Sequence, residues 1–263
     1  MKVNARNMLA WAALILALTS CASVNSFLPL PPVRPNGQTL WRIIHDQCVP
    51  GERTRHDPAP CAIVSMPDGE ARGFVVLKDR TGVAQYLLMP TAKITGIEDT
   101  AVLEPGAVNY FAKAWDERRL TEQRLGHPLD RTQISITVNS IYGRTQDQLH
   151  LHIDCLDRTV RAALQIANIS PSGRWSQRAL SLKGHDYRVR WLDAAQLEST
   201  DPFKLLAQSM PGARRDMGAW TLALVGAVRT DGSTGFYLLA DRANPAAGDQ
   251  GSAEDLQDHG CRL

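Results

Sequence analysis

The chain has almost no net charge. Its 263 residues include 29 basic and 27 acidic side chains. No acidic residue precedes Cys21, and setting Lys2 and Arg6 apart from the 29 leaves 27 basic against 27 acidic. A body so balanced lacks the footprint that binds nucleic acid by bulk charge, and no nucleic-acid partner is expected. A bilayer-length apolar run is lacking too. Met8–Leu18, MLAWAALILAL, is only 11 residues, short of what crosses a membrane comfortably. What remains is a chain long enough for one large or two small domains with ample core.

The short run has another use. Lys2 and Arg6 precede it and TSCAS follows, the order of a signal peptide over residues 1–20. Leu18–Cys21, LTSC, resembles the bacterial lipoprotein signal, in which the cysteine is acylated and becomes the new N-terminus. A plain signal peptide cut nearby and an uncleaved anchor are the other readings. All three export the body and place it facing the periplasm. Residues 21–38 then carry Pro29, Pro31, Pro32 and Pro35. Proline at that density favours extended geometry, so the segment reads as a tether from the membrane to a folded body over 39–263.

Export changes the meaning of the cysteines. With Cys21 set aside, Cys48, Cys61, Cys155 and Cys261 remain. An even number in an oxidising compartment predicts two disulfides, with three possible pairings. The compact, proline-rich loop favours Cys48 with Cys61. Cys155 with Cys261 is then left, a bridge that would fasten the C-terminal tail beneath the strand carrying Cys155.

Local patterns predict the elements. TLWRIIHDQC reads as a short helix, and GFVVLKDRTGVAQYLLMP as a hairpin turning at Arg80-Thr81-Gly82. AVNYFAKAWDERRLTEQRLG reads as an amphipathic helix ended by Gly126. Further helices are expected near Thr159–Ala167 and from Asp201-Pro202. A second hairpin turns at Asp231-Gly232. Neighbouring strands pair and helices fall between, which is α+β with a mainly antiparallel sheet. QYLLMP and FYLLAD look loosely alike, as in a repeated half.

The chemistry concentrates in residues 146–156, QDQLHLHIDCL. Side chains alternate across a strand. Leu149, Leu151, Ile153 and Cys155 share a core face, while Gln148, His150, His152 and Asp154 share the other. QISITVNS supplies a neighbouring strand that ends at Asn139 and Ser140, and IYGRT connects the two. Paired imidazoles at i and i+2 also suit a metal or a plain polar surface. No third ligand is evident nearby, so no metal and no cofactor are expected.

VNSIYGRTQDQLHLHI resembles the histidine-triad superfamily. That family places His-φ-His-φ-His, with φ apolar, on a strand after an asparagine-ended strand and a glycine- and hydroxyl-bearing loop. Gln148, His150 and His152 stand at the triad places, so glutamine replaces the first histidine. Thr145 takes the hydroxyl place and Asn139 the asparagine place. Within the superfamily the match is closest to the CDP-diacylglycerol diphosphatase family. FVVLKD, QYLLMPT, GRTQ, Arg174-Trp175, GHDY at Gly184–Tyr187, the terminal QDHGC and the paired cysteines carry it, from about residue 40 to the end.

The resemblance implies a hydrolase that cleaves the pyrophosphate of CDP-diacylglycerol to CMP and phosphatidate. It implies His150 as nucleophile, a covalent nucleotidyl-histidine intermediate, and His152 hydrogen-bonding the phosphate or leaving oxygen. Asn139, Gly143 and Thr145 would cradle phosphate oxygens, Gln148 would have a positional part, and Arg144 and Lys78 are the cationic candidates. His185 is a further site candidate; Trp175 and Tyr187 either stack on the base or pack. The lipid substrate and the membrane are the implied partners, at the inner membrane by resemblance, or the outer if Cys21 is lipidated. Two other functions stay open: a hydrolase or transferase of soluble nucleotides, and a non-catalytic lipid-binding lipoprotein.

Overall fold

The structure, a computed structural model, describes residues 29–167 and 169–263. The signal segment, Cys21 and the first part of the proline-rich stretch lie outside them. Helical turns Thr39–Ile43 (α1) and Val49–Arg55 (α2) flank a π-helical turn at Ile44–Cys48. Strand Ile63–Ser65 (β1) leads into the hairpin Phe74–Lys78 (β2) and Tyr86–Pro90 (β3). Helices Tyr110–Glu117 (α3) and Arg119–Leu125 (α4) precede strands Ile134–Val138 (β4) and Leu151–Cys155 (β5). Helix Arg158–Ile166 (α5), strands Leu180–Leu182 (β6) and His185–Asp193 (β7), and helix Pro202–Ser209 (α6) follow. The hairpin Trp220–Val228 (β8) and Thr234–Arg242 (β9) comes next, then a 3-10 turn at Ala253–Leu256.

The strands form one sheet in the order β1-β2-β3-β5-β4-β8-β9-β7-β6, with every neighbouring pair antiparallel. This is the α+β class with the mainly antiparallel sheet that the patterns predict. Local chemistry sets the helix ends. Asn109 accepts from the Ala112 N–H, and Gly126 takes the left-handed conformation (φ 79°) that ends α4. Asp201 accepts from the Phe203 N–H, with Pro202 at the first helical position. QYLLMP lies on β3, beside β5, whereas FYLLAD lies on β9, with β8 between it and β4.

The sheet's two faces are covered differently. One face is a continuous core in which Leu88, Ile136, Leu151, Ile153 and Leu224 pack against Phe111 and Phe203. The other face is covered in two pieces. Ile44, Cys48 and Val49 lie over Val75, Leu87 and Met89 on β2 and β3. Val160, Leu164, Ala253 and Leu256 lie over β7, β8 and β9. Between these two covers lie His152 on β5 and His150 just before it, both nearly buried.

Both expected disulfides are present, Cys48–Cys61 and Cys155–Cys261. The second holds the tail on the imidazole side of β5. Leu156 pairs with Gln257, the Asp258 N–H donates to the Cys155 carbonyl, and Gln257 Nε2 donates to the His152 carbonyl. The proline-rich stretch docks before residue 39. Arg34 donates to the Ile141 and Arg144 carbonyls and pairs with Asp147 at 3.2 Å.

Candidate active site

A cavity of about 610 Å³ opens in the gap between the two covers. Thr39, Leu40, Ile43 and Pro60 form its apolar wall; His150, His152, Glu254, Lys78, Arg80 and Thr145 form its polar one. Alternation along the chain produces the division, since Leu149, Leu151 and Ile153 are buried in the core behind.

His150 is 6% exposed, and its Nδ1 lies 2.6 Å from the carbonyl of Gln148. A carbonyl only accepts, so Nδ1 holds the proton. Nε2 then carries the lone pair and is the nitrogen left to face the cavity. Burial and the neighbouring His152 push the His150 pKa down to about 4. At neutral pH this imidazole is uncharged and its lone pair is free. The His152 ring stands edge-on to it, centroids 5.0 Å apart.

His152 Nδ1 has two partners. Gln85 Nε2 lies 2.9 Å away and Glu254 Oε1 lies 3.2 Å away. The amide can donate to a bare Nδ1, and the carboxylate can accept from a protonated one. Nδ1 thus finds a partner whether or not it carries a hydrogen. Its Nε2 is buried and has no hydrogen-bond partner among the described residues.

Glu254 is held from three sides. Gln85 Nε2 donates to Oε1 at 3.0 Å, Asn139 Nδ2 donates to Oε2 at 3.1 Å, and the Glu254 N–H donates to Asn139 Oδ1 at 3.1 Å. Burial alone would raise its pKa. The charge of His152, the Gln85 and Asn139 bonds and His259 outweigh that and leave it below the ordinary value. His259 continues the cluster: Nε2 is 3.5 Å from Glu254, and Nδ1 is 2.8 Å from the fully buried Asp154. The bond to Asp154 raises the His259 pKa.

Several residues expected at the phosphates stand elsewhere. Asn139 does not reach the cavity; both ends of its amide clamp Glu254. Gln148 is fully buried and donates at 3.0 Å to the carbonyls of both Pro90 and Ala92, so it braces the end of β3. It does not line the cavity. Arg144 is spent internally, with both terminal nitrogens on Glu98 at 2.5 and 2.7 Å and further bonds to Asp147. The Gly143 N–H donates to Ser140 Oγ, as does that of Tyr142, so this loop is tied to itself. Thr145 and Lys78 do line the cavity. Lys78 Nζ donates to the Asp79 and Gly82 carbonyls, and burial lowers its pKa. Arg80 is a second cation in the cavity lining; it is exposed and has no ion pair among the described residues.

His185 sits on β7, four strands from β5, amid Asp241, Asp249 and Asp255. Tyr187 is fully buried beside it, and Trp175 packs on the core with its Nε1 donating to Ser209. Neither aromatic lines the cavity, so both belong to packing. Glu254, Gln85 and His259 were not singled out by the sequence reading, although His259 lies in the QDHGC segment that carried part of the resemblance.

The fold and site define an antiparallel α+β protein with paired imidazoles beside a cavity, one of them neutral with its Nδ1 hydrogen-bonded, with a carboxylate behind the other. The chain belongs to the CDP-diacylglycerol pyrophosphatase family, whose profile matches residues 35–263. It is similar to a CDP-diacylglycerol pyrophosphatase of Yersinia pestis, 46% identical over 228 residues, which cover 87% of this chain and 85% of the relative.

Proposed function

We propose that the protein hydrolyses the pyrophosphate of CDP-diacylglycerol, releasing CMP and phosphatidate, with His150 as nucleophile. Family membership supplies the reaction class. The observation that carries the mechanism is the His150 Nδ1–Gln148 carbonyl bond, which leaves Nε2 unprotonated towards the cavity.

In the first step the Nε2 lone pair attacks the phosphorus bearing cytidine. The N–P bond forms as the bridging P–O bond breaks, and phosphatidate departs with that electron pair. The Nδ1 proton stays on the ring, and the Gln148 carbonyl stabilises the charge that develops there. Phosphatidate is a phosphate monoester, so little acid assistance is needed. His152, which lines the same cavity, supplies what hydrogen bonding is required. In the second step water attacks the same phosphorus, the N–P bond breaks, and CMP leaves. The water's proton passes to the His152–Glu254 pair and on to solvent. Lys78, Arg80 and Thr145 neutralise and bind the non-bridging oxygens. The apolar wall of Leu40, Ile43 and Pro60 borders the same cavity and suits the glycerolipid end.

The N-terminal segment is assigned to export and attachment. Residues 1–20 act as the signal and Cys21 as the lipidated anchor, and the catalytic body begins near residue 39. The two disulfides fit an oxidising compartment. No helix among the described residues is long and apolar enough to cross a membrane.

The assay is purified protein with CDP-diacylglycerol in detergent, scored for CMP and phosphatidate, beside CDP-glycerol as a substrate without acyl chains. Turnover of the lipid with weak turnover of CDP-glycerol is expected. Equal turnover would favour a soluble-nucleotide hydrolase, and none a lipid-binding protein.

A further inference from the structure

Away from the catalytic cavity, four titratable side chains converge where β7, β9 and the C-terminal segment meet. His185 Nδ1 lies 2.8 Å from Asp249 Oδ1 and 3.4 Å from Asp241 Oδ2, and its Nε2 lies 3.1 Å from Asp255 Oδ2. The donor atoms of His185, Asp241 and Asp249 all fall within 4.8 Å of one another. None of the four residues lines the catalytic cavity.

The charges do not balance. Three carboxylates face one imidazole, and among the described residues no lysine or arginine pairs with any of the three. Asp241 is 5% exposed, and its Oδ2 has no hydrogen-bond partner. Nδ1 has only one hydrogen to give, and Asp249 is the nearer acceptor, so Asp241 points a bare oxygen into the cluster. A second atom behaves alike. Tyr187 is fully buried with its ring centroid 5.9 Å from that of His185, and its hydroxyl has no partner either. Buried oxygens left bare cost about 1–3 kcal/mol each, and native folds seldom leave them so.

We propose that His185, Asp241 and Asp249 bind a divalent transition-metal cation, with Zn²⁺ and Mn²⁺ the best fits to one nitrogen and carboxylate oxygens. The imidazole ligates through Nδ1. Asp255 accepts from the Nε2–H and fixes that tautomer, as outer carboxylates do at metal-bound histidines. The cation joins two strands to the segment 249–255, whose next-to-last residue is Glu254. The Asp249 carboxylate also accepts from the Gly251 N–H, the Gly251 carbonyl accepts from Ser140, and Glu254 reaches Asn139. The metal thus steadies the loop that presents Glu254 to His152. Its role is structural, and it takes no part in bond breaking.

The test is equilibrium dialysis of tag-free, chelator-stripped full chain against Zn²⁺, Mn²⁺ and Ca²⁺, with bound metal counted and Tm recorded. About one equivalent of Zn²⁺ or Mn²⁺ and a Tm rise of several degrees are expected. Asp241→Asn and Asp249→Asn should each weaken binding at least about tenfold. The Asp249→Asn variant keeps the acceptor for Gly251, so its fold should survive. The His150→Gln variant should bind metal like the wild type. No stoichiometric binding by the wild type would overturn the proposal, as would tighter binding of Ca²⁺ than of Zn²⁺ and Mn²⁺. So would binding that survives both aspartate changes or is lost with His150.

Discussion

His150 gives its Nδ1 proton to the carbonyl of Gln148, two residues earlier, across 2.6 Å. This one bond fixes the tautomer and leaves the Nε2 lone pair free; in the proposed mechanism it also steadies the charge that builds on attack. Burial does the rest by keeping the ring neutral.

The pH dependence follows from that burial. With its pKa lowered to about 4, His150 stays competent far below the pH at which a free imidazole, at 6.5, becomes protonated. The acid limb of kcat/KM that belongs to the nucleophile should fall near pH 4. Stability has a matching sign. The unfolded state binds the extra proton between about pH 6.5 and 4, so the native state is favoured above that window and loses ground within it. The loss is about 3 kcal/mol at most. Urea midpoints at pH 7 and pH 4.5 should converge in the His150→Gln variant relative to wild type.

Glu254→Gln keeps the shape of the side chain and removes its charge. The amide oxygen still accepts from His152 but carries no charge and takes up no proton, so proton handling in the proposed second step suffers. A fall in kcat of about 10²-fold to 10³-fold is expected, with KM changed little. A pure KM effect would move Glu254 from proton transfer to binding.

Gln148→His tests the brace. Glutamine donates two hydrogens to the Pro90 and Ala92 carbonyls; a neutral histidine donates one. One buried carbonyl loses its partner, at about 1–3 kcal/mol of stability. Activity per folded molecule should stay within about tenfold, read by calorimetry beside active-site-normalised kinetics.

Cys261→Ser should act at a distance. The bridge to Cys155 closes a loop with a sequence separation of 106 residues, and chain-entropy models assign such loops close to 5 kcal/mol. The freed tail carries His259 and Glu254. Tm should drop, and activity should fall before global unfolding, which limited proteolysis of the tail during a kinetic titration with reductant would reveal.

The imidazole pair was legible in the sequence because period-two alternation is a local signal. The hairpins were legible too, from Arg80-Thr81-Gly82 and Asp231-Gly232 between β-rich runs. Glu254 was not, since it meets His152 only after the tail folds back over β5, and nothing in its own neighbourhood marks it. Arg144 misled for the complementary reason. An arginine after a glycine in the right loop reads as a phosphate ligand, until Glu98, 46 residues earlier, is seen to occupy its guanidinium. His185 stands on β7, away from the cavity, because sequence does not say which end of the sheet a strand occupies.

The central claim is the covalent step at His150. A phosphoramidate survives alkali and breaks in acid, so wild-type protein should be mixed with CDP-diacylglycerol, quenched in alkali within one turnover, and mapped by peptide mass spectrometry. The account predicts a cytidylyl adduct on His150, absent from His150→Gln, and overall retention of configuration at the cytidine-bearing phosphorus. Inversion at that phosphorus, or an adduct on any other residue, would contradict it.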